Sequence, residues 1–232
     1  MGKFAVIGLG KFGTTVANTL YANGSEVIVI DTNEKRIEEI KGQVSAAVHI
    51  DSTNEQALKD VGIHEMDAVI LAIGNNIAVS VLTSVILKKL GAGNIYAKVD
   101  SKLHARILEM LGVHNIVFPE EQIGIQLAHS LMSANIINYY SLSTGHTIIE
   151  MRVPHTYTGK TLQQLALPRE KGIHIVAIKY DLVTVSEDGD NIVEKRINDM
   201  PGANDIINEG DILVLLGSQS KITELINETA GL

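Results

Sequence analysis

The sequence predicts an α/β protein with three parts: a doubly wound parallel sheet, a connecting helix and a small α+β domain. Three observations carry this reading. Short apolar runs alternate with helix-period segments from residue 4 to about residue 118. The connections between them are short, as in repeated strand–helix–strand units. Near residue 141 the texture changes to apolar runs separated by polar turns. The divisions fall at 1–119, 120–140 and 141–232. A chain of 232 residues has room for one full domain and a smaller second one.

Each element has its own signal. FAVI, residues 4–7, is a β-rich apolar run. GLGKFG follows it, then TTVANTLYANG, where Val16, Ala17, Thr19 and Leu20 fall near one helical face and Gly24 is a stop. EVIVID is the second strand. NEKRIEEIKG is a helix with Ile37 and Ile40 inward, ended by Gly42. SAAVHID is the third strand. STNEQALKDVG is a helix opened by Ser52 or Thr53, with Glu55 or Gln56 near the capping-box position. DAVILAIG is apolar throughout, as strands buried on both faces are. NNIAVSVLTSVILKKLG and SKLHARILEMLG are helices, and NIYAKV and NIVF are the fifth and sixth strands.

PEEQIGIQLAHSLMSANIINYYSL reads as one long helix. Ile123, Gln126, Leu127, Leu131, Ile136 and Ile137 give it a broad apolar face. It is either a connector that contacts another subunit or domain, or the last helix of the first domain. After it come a strand in SLSTGHTIIEMRV, a short helix in TGKTLQQLAL, strands in GIHIVAIKYD and GDILVLLG, and a helix in SQSKITELINETAGL. Residues 183–208 are polar and acidic with Gly and Pro, and read as a loop or short hairpin.

The bulk numbers exclude several functions. The net charge is −8, spread along the chain, which argues against a broad nucleic-acid surface. The absence of cysteine removes disulfides, thiol catalysis and thiolate metal sites. No signal peptide is read at the N-terminus, and the apolar runs are too short to span a bilayer. Any membrane association would therefore come through a partner. The eight histidines form no H-x-x-x-H pair, so a histidine metal site is not expected. Glu120 and Glu121 offer hard oxygen ligands for Mg2+ or Ca2+, or else stabilise a helix N-terminus after Pro119.

Gly8, Gly10 and Gly13, with Lys11 and Phe12 between the last two, form G-x-G-x-x-G between a strand and a helix. That is the context a Rossmann-like phosphate loop requires. Gly8 permits the tight turn, Gly10 admits a pyrophosphate to the backbone, and Gly13 lets the helix lie close to the sheet. Asp31 ends the second strand 18 residues after Gly13, placed for ribose hydroxyls and repulsive to a 2′-phosphate. Lys11 is placed to neutralise a distal phosphate or is a solvated surface lysine. Asp51, Ser52 and Thr53 sit at the carboxyl end of the third strand, where they cap a helix or meet a ligand. Ile73, Gly74 and Asn75 end the fourth strand and Lys98 the fifth. His146, His155 and His174 show no pairing with a carboxylate, so the proton relay of an oxidoreductase cannot be named.

Taken together, FAVIGLGKFG, VIVIDTNEKRI, AVHIDSTNEQALKDVGI, DAVILAIGNN, IYAKVDSKLHARILEMLG and NIVFPEEQIG resemble RCK proteins (regulators of K+ conductance) of the soluble Trk/Ktr potassium-uptake type. TGKTLQQLALPREKGIHIVAIKYD and EGDILVLLGSQSKITEL resemble their C-terminal domain. The resemblance implies nucleotide contacts at Lys11, Asp31, Thr32, Asn33, Asp51, Ser52, Ile73, Gly74 and Asn75. It extends them to Lys98, Val99, Asp100, His104 and Glu120. Many relatives carry arginine where this chain has Lys11; lysine keeps the charge but loses the bidentate fork. Glu120 matches a position where a divalent cation takes part. The resemblance also implies ATP/ADP or NAD(H) as ligand, and a non-enzymatic gating role. The protein would be cytoplasmic, with dimers assembled into a homo-oligomeric ring, an octamer, docked at the inner face of the membrane beneath a K+-translocating subunit. Some relatives bind cyclic di-AMP in the C-terminal domain. The rival reading is an NAD-dependent oxidoreductase.

Overall fold

The computed structural model describes residues 2–142, 144–185 and 191–229. They form two compact units, Met1–Glu120 and Glu121–Leu232.

In the first unit strands and helices alternate: β1 (Lys3–Ile7), α1 (Lys11–Ala22), β2 (Glu26–Asp31), α2 (Glu34–Ile40), β3 (Ala46–His49) and α3 (Glu55–Asp60). A 3-10 turn at Ile63–Glu65 leads to β4 (Ala68–Leu71), α4 (Ile77–Lys89), β5 (Asn94–Lys98), α5 (Lys102–Met110) and β6 (Asn115–Val117). The six strands are parallel in the order β3-β2-β1-β4-β5-β6. That order reverses direction between β1 and β4, where a doubly wound sheet opens a crevice at its carboxyl edge. Two apolar clusters flank the sheet, one around Ile7, Leu71 and Ala97, the other around Val6, Val29 and Ile37.

Capping side chains set the helix starts. Asn33, Asn54, Asn76 and Ser101 each accept a backbone N–H three residues on, opening α2, α3, α4 and α5. The expected caps for α3 are thus corrected. Ser52 is buried with its hydroxyl 2.8 Å from that of Thr83, and Thr53 donates to Asp51, so Asn54 takes the role.

The second unit departs further from expectation. Helix α6 (Pro119–Met132), which crosses the boundary between the units, stops short of the expected span of 120–140. Ile136–Ser141 forms strand β7 instead. Ser133 and Asn135 break the helix, with the Asn135 N–H bonded to the Ser133 hydroxyl. The run IINYYS that follows is β-branched and aromatic, and it pairs antiparallel with β8 (His146–Arg152). Next come α7 (Leu162–Leu165), started by a capping box between Thr161 and Gln164, and α8 (Leu167–Glu170). Strands β9 (His174–Val185) and β10 (Asn191–Asn198) form a hairpin where a loop or short hairpin was expected; residues 186–190 lie outside the described residues. Strand β11 (Ile212–Ser218) and helix α9 (Gln219–Thr229) complete the unit. The sheet order is β10-β9-β11-β8-β7, antiparallel throughout. Its core gathers Ile149, Met151, Leu213, Leu215, Ile222 and Leu225 on one face.

Candidate functional site

The carboxyl edge of the parallel sheet holds a cavity of about 550 Å3. Three strand ends build its floor. The turn after β1 supplies Gly8 and Gly10, the end of β2 supplies Asp31 and Thr32, and the end of β3 supplies Asp51 and Ser52. From the other side of the switch point come Ile73, Gly74 and Asn75 after β4, and Lys98 at the end of β5. These ten residues were all expected from the sequence, and the fold brings them together.

The glycine loop has the geometry of a phosphate cradle. Gly8 has φ +99°, a left-handed value that side chains rarely adopt. A methyl group on Gly13 would lie 2.0 Å from the Gly8 carbonyl oxygen, so helix α1 can approach β1 only because residue 13 has no side chain. At Gly10, by contrast, an added methyl would meet nothing within 4 Å. The space above Gly10 is open to the cavity, where a ligand's phosphates can reach the backbone. Helix α1 begins at Gly10 without a side-chain cap, unlike α2 to α5. Its first N–H groups and positive dipole end are left for an anion.

Asp31 is buried and braces this loop. Its Oδ2 accepts the Leu9 N–H at 2.6 Å and its Oδ1 accepts the Asn33 N–H at 2.7 Å. Each carboxylate oxygen has a further lone pair for a sugar hydroxyl. Asp51 accepts both the N–H and the hydroxyl of Thr53 at 2.8 Å, and these bonds hold its carboxyl below the usual aspartate value. Carboxylates thus face the cavity from β2 and β3, suited to hydroxyl donors.

Lys98 is opposite, in a charged cluster. Its Nζ is 2.7 Å from Glu120 Oε1 and 3.4 Å from Asp100 Oδ1, with only 16% of the side chain exposed. The hydrogen bond that Lys98 donates to Glu120 raises the Lys98 value and lowers that of Glu120. Asp100 also packs on Gly74, where an added methyl would come within 2.5 Å of Oδ1.

The remaining expected residues sit around the cavity, not in its wall. Lys11 is exposed in the first turn of α1. The half-buried Phe12 side chain packs against the apolar cluster around Val6, Val29 and Ile37. Asn33 caps α2. Val99 is a core residue, its N–H bonded to the Val117 carbonyl. His104 is fully buried, with Nε2 3.0 Å from the Ser80 hydroxyl and Nδ1 without a partner among the described residues. Burial lowers its value, against the pull of Asp100. Glu120 engages Lys98, and among the described residues no group of three His, Asp or Glu side chains is placed to hold a metal ion. A divalent cation at Glu120 would have to share it with Lys98 or displace the lysine.

Sequence reasoning missed the rest of the wall, including Arg36, Ile50, Asn76 and Val79. Asn76 extends the IGNN run already singled out. Arg36 lies five residues beyond Asp31, in the first turn of α2, where the Asn33 cap fixes its backbone. In the second unit a shallower cavity of about 360 Å3 lies between the α7–α8 segment and β9, with Arg169 and His174 in its wall. No helix among the described residues is long and apolar enough to cross a membrane.

The chain is similar to known proteins. The family model described as the TrkA-N domain matches residues 4–119, and the TrkA-C domain matches residues 147–230. Ktr system potassium uptake protein C of Bacillus subtilis (strain 168) is 37% identical over 221 residues, covering 95% of this chain and 94% of that protein. Ktr system potassium uptake protein A of Vibrio alginolyticus is 30% identical over 220 residues, with 95% and 94% covered. Among solved structures, the GsuK RCK domain aligns with a TM-score of 0.64 at 18% identity, over 100% of this chain and 48% of that one. The GsuK channel bound to NAD gives 0.64 at 17%, over 97% and 38%. This chain thus spans less than half of either GsuK chain, and at these identities the likeness is one of fold.

Proposed function

The chain belongs to the RCK family of Ktr and Trk potassium uptake proteins, with a TrkA-N domain followed by a TrkA-C domain, and from that premise we propose that it is a nucleotide-sensing regulatory subunit of a potassium uptake system. The observation that carries this reading is the cavity at the switch point, where an open glycine cradle, an uncapped helix N-terminus and the Asp31 carboxylate fit phosphates followed by a ribose. Its ligand is an adenine nucleotide, ATP/ADP or NAD(H). Lys11, exposed beside the cradle, reaches a distal phosphate when one is present.

The subunit gates rather than catalyses. It works at the cytoplasmic face of the membrane, on a K+-translocating partner. Ile123, Ile125, Leu127 and Leu131 are exposed apolar residues on α6, and they support a contact between copies of the chain through this helix in a homo-oligomeric ring of dimers. Ligand exchange shifts the ring between shapes only by the difference in affinity for the two. Lys98, Asp100 and Glu120 are where phosphates and a divalent cation, Mg2+ or Ca2+, would be sensed. The Arg169–His174 cavity is where a cyclic dinucleotide such as cyclic di-AMP would bind.

Calorimetric titration of the whole chain with ATP, ADP, NAD and NADH, with and without Mg2+ or Ca2+, tests this. Binding that distinguishes ATP from ADP, or NADH from NAD, without turnover is expected. Lys11→Ala should reduce discrimination between ATP and ADP. Failure of all four nucleotides to bind, or hydride transfer to a common hydroxy acid or aldehyde, would overturn the proposal.

A further inference from the structure

Arg36 is a cation in the cavity wall whose guanidinium makes no hydrogen bond among the described residues. Its backbone N–H is held by the Asn33 cap at 3.3 Å, which fixes the residue in the first turn of α2. Its Nη1 stands 3.7 Å from Asp31 Oδ2, within Coulomb reach but beyond hydrogen-bonding distance. Half of the side chain is exposed. Such an arginine is restrained by one carboxylate at Coulomb range only.

The direction of the ligand follows from the sheet. Phosphates occupy the cradle at Gly10 after β1, and the sugar meets Asp31 at the end of β2. The base then points onward within the cavity, whose lining includes Thr32, Arg36, Ile50 and Ile73. Two aliphatic side chains and a planar cation suit a flat aromatic ring. A 2′-phosphate does not fit as well, because it would meet the Asp31 carboxylate before reaching Arg36.

We propose that Arg36 is a ligand-binding residue that recognises the base of the nucleotide, laying its guanidinium on the purine ring while Asp31 restrains it from the ribose side. This rests on the nucleotide reading above and adds the base end of the site to it.

The test compares the wild-type chain with Arg36→Ala and Arg36→Lys by calorimetric titration with AMP, ADP, ATP and NAD, after thermal melts check that each variant is folded. Arg36→Ala should weaken all four by a similar factor, about three- to thirtyfold, because they share the adenosine. Arg36→Lys keeps the charge but not the plane, and should recover little of the loss. Full recovery by lysine, a loss that grows from AMP to ATP, or no loss would overturn the proposal. Each of these outcomes leaves the nucleotide reading standing. Only a wild-type chain that binds none of the four removes both.

Discussion

The two units build their sheets by opposite rules, and the contrast decides where a ligand can sit. Strand β4 is buried at every position, because parallel strands with helices on both faces have no solvent side. Strands β8 and β11 alternate buried and half-buried residues, as an antiparallel sheet with one packed face does. In the first unit every strand must leave the sheet at the same edge, so the polar ends of β1 to β5 converge on one crevice. In the second, neighbouring strands leave at opposite edges, and the polar ends are shared between two rims.

The sharpest way to break this contrast is inside the crevice. Gly13→Ala places a methyl group 2.0 Å from a backbone oxygen and 3.1 Å from Ala72 Cβ, so α1 must lift off the sheet. A stability loss of about 3 kcal/mol or more in urea unfolding is expected. Gly10→Ala, at φ −73° and with open space, should change stability by no more than about 0.5 kcal/mol. It should still weaken nucleotide binding by about tenfold, 1.4 kcal/mol, by filling the cradle. If both variants lost the same stability, the division between a packing glycine and a ligand glycine would be wrong.

The second unit gives the complementary experiment. Leu215 is fully buried against the core of that unit, and Leu215→Ala should cost about 3 kcal/mol on denaturation. The apolar clusters beside the crevice contain residues of the first unit only. Nucleotide affinity measured by calorimetry should therefore stay within about twofold. A large drop in affinity would show that the two cores are coupled.

The same contrast explains what could be read from the sequence. Continuous apolar runs such as DAVILAI and helix stops at glycines such as Gly24 and Gly42 make the first unit legible, together with ten residues of the cavity wall. Ser52 or Thr53 reads as a cap or a ligand contact, because either residue type favours a helix start, yet Asn54 competes for the cap and the fold buries Ser52 against Thr83. IINYYS continued an apolar helical period, and only pairing with β8 makes it a strand; that information is non-local. The β9–β10 ladder was hidden by its charged, exposed residues. Arg36 was missed because a residue that enters a site from a helix turn shows no motif.

Beneath the cavity, His104 ties α5 to Ser80 on α4. Burial lowers its value from 6.5, so below about pH 6.5 the unfolded chain takes up a proton that the folded chain resists. Stability from this group is complete above that pH and is lost as pH falls below it. His104→Gln should cost about 1–2 kcal/mol at neutral pH. It should also flatten the acid limb when urea midpoints at about pH 7.5 and about pH 5.5 are compared. Equal losses in wild type and variant between the two would assign the acid sensitivity elsewhere.

Among the charged groups, only a small effect on stability is expected at Glu120, although the residue borders the cavity. Its value is lowered chiefly by the hydrogen bond from Lys98, so its contribution is present above the ordinary glutamate value of 4.5 and is lost as pH falls through the lower folded value. Lys98 is raised, so its share is present below 10.5 and is lost only as pH rises beyond that. Between those limits the pair is intact, but Glu120 is mostly exposed, and Glu120→Gln should change stability by less than about 1 kcal/mol. Binding should respond more than folding does. Losing the 2.7 Å partner leaves Lys98 with Asp100 alone, and freer to meet a phosphate in the cavity it lines. Lys98→Met does the reverse, leaving the Asp100 and Glu120 carboxylates beside the cavity without their shared cation. The expected order of ATP affinity in calorimetry without divalent cations is Glu120→Gln, then wild type, then Lys98→Met. An inverted order would mean that Lys98 serves Glu120 and the start of α6 rather than the ligand.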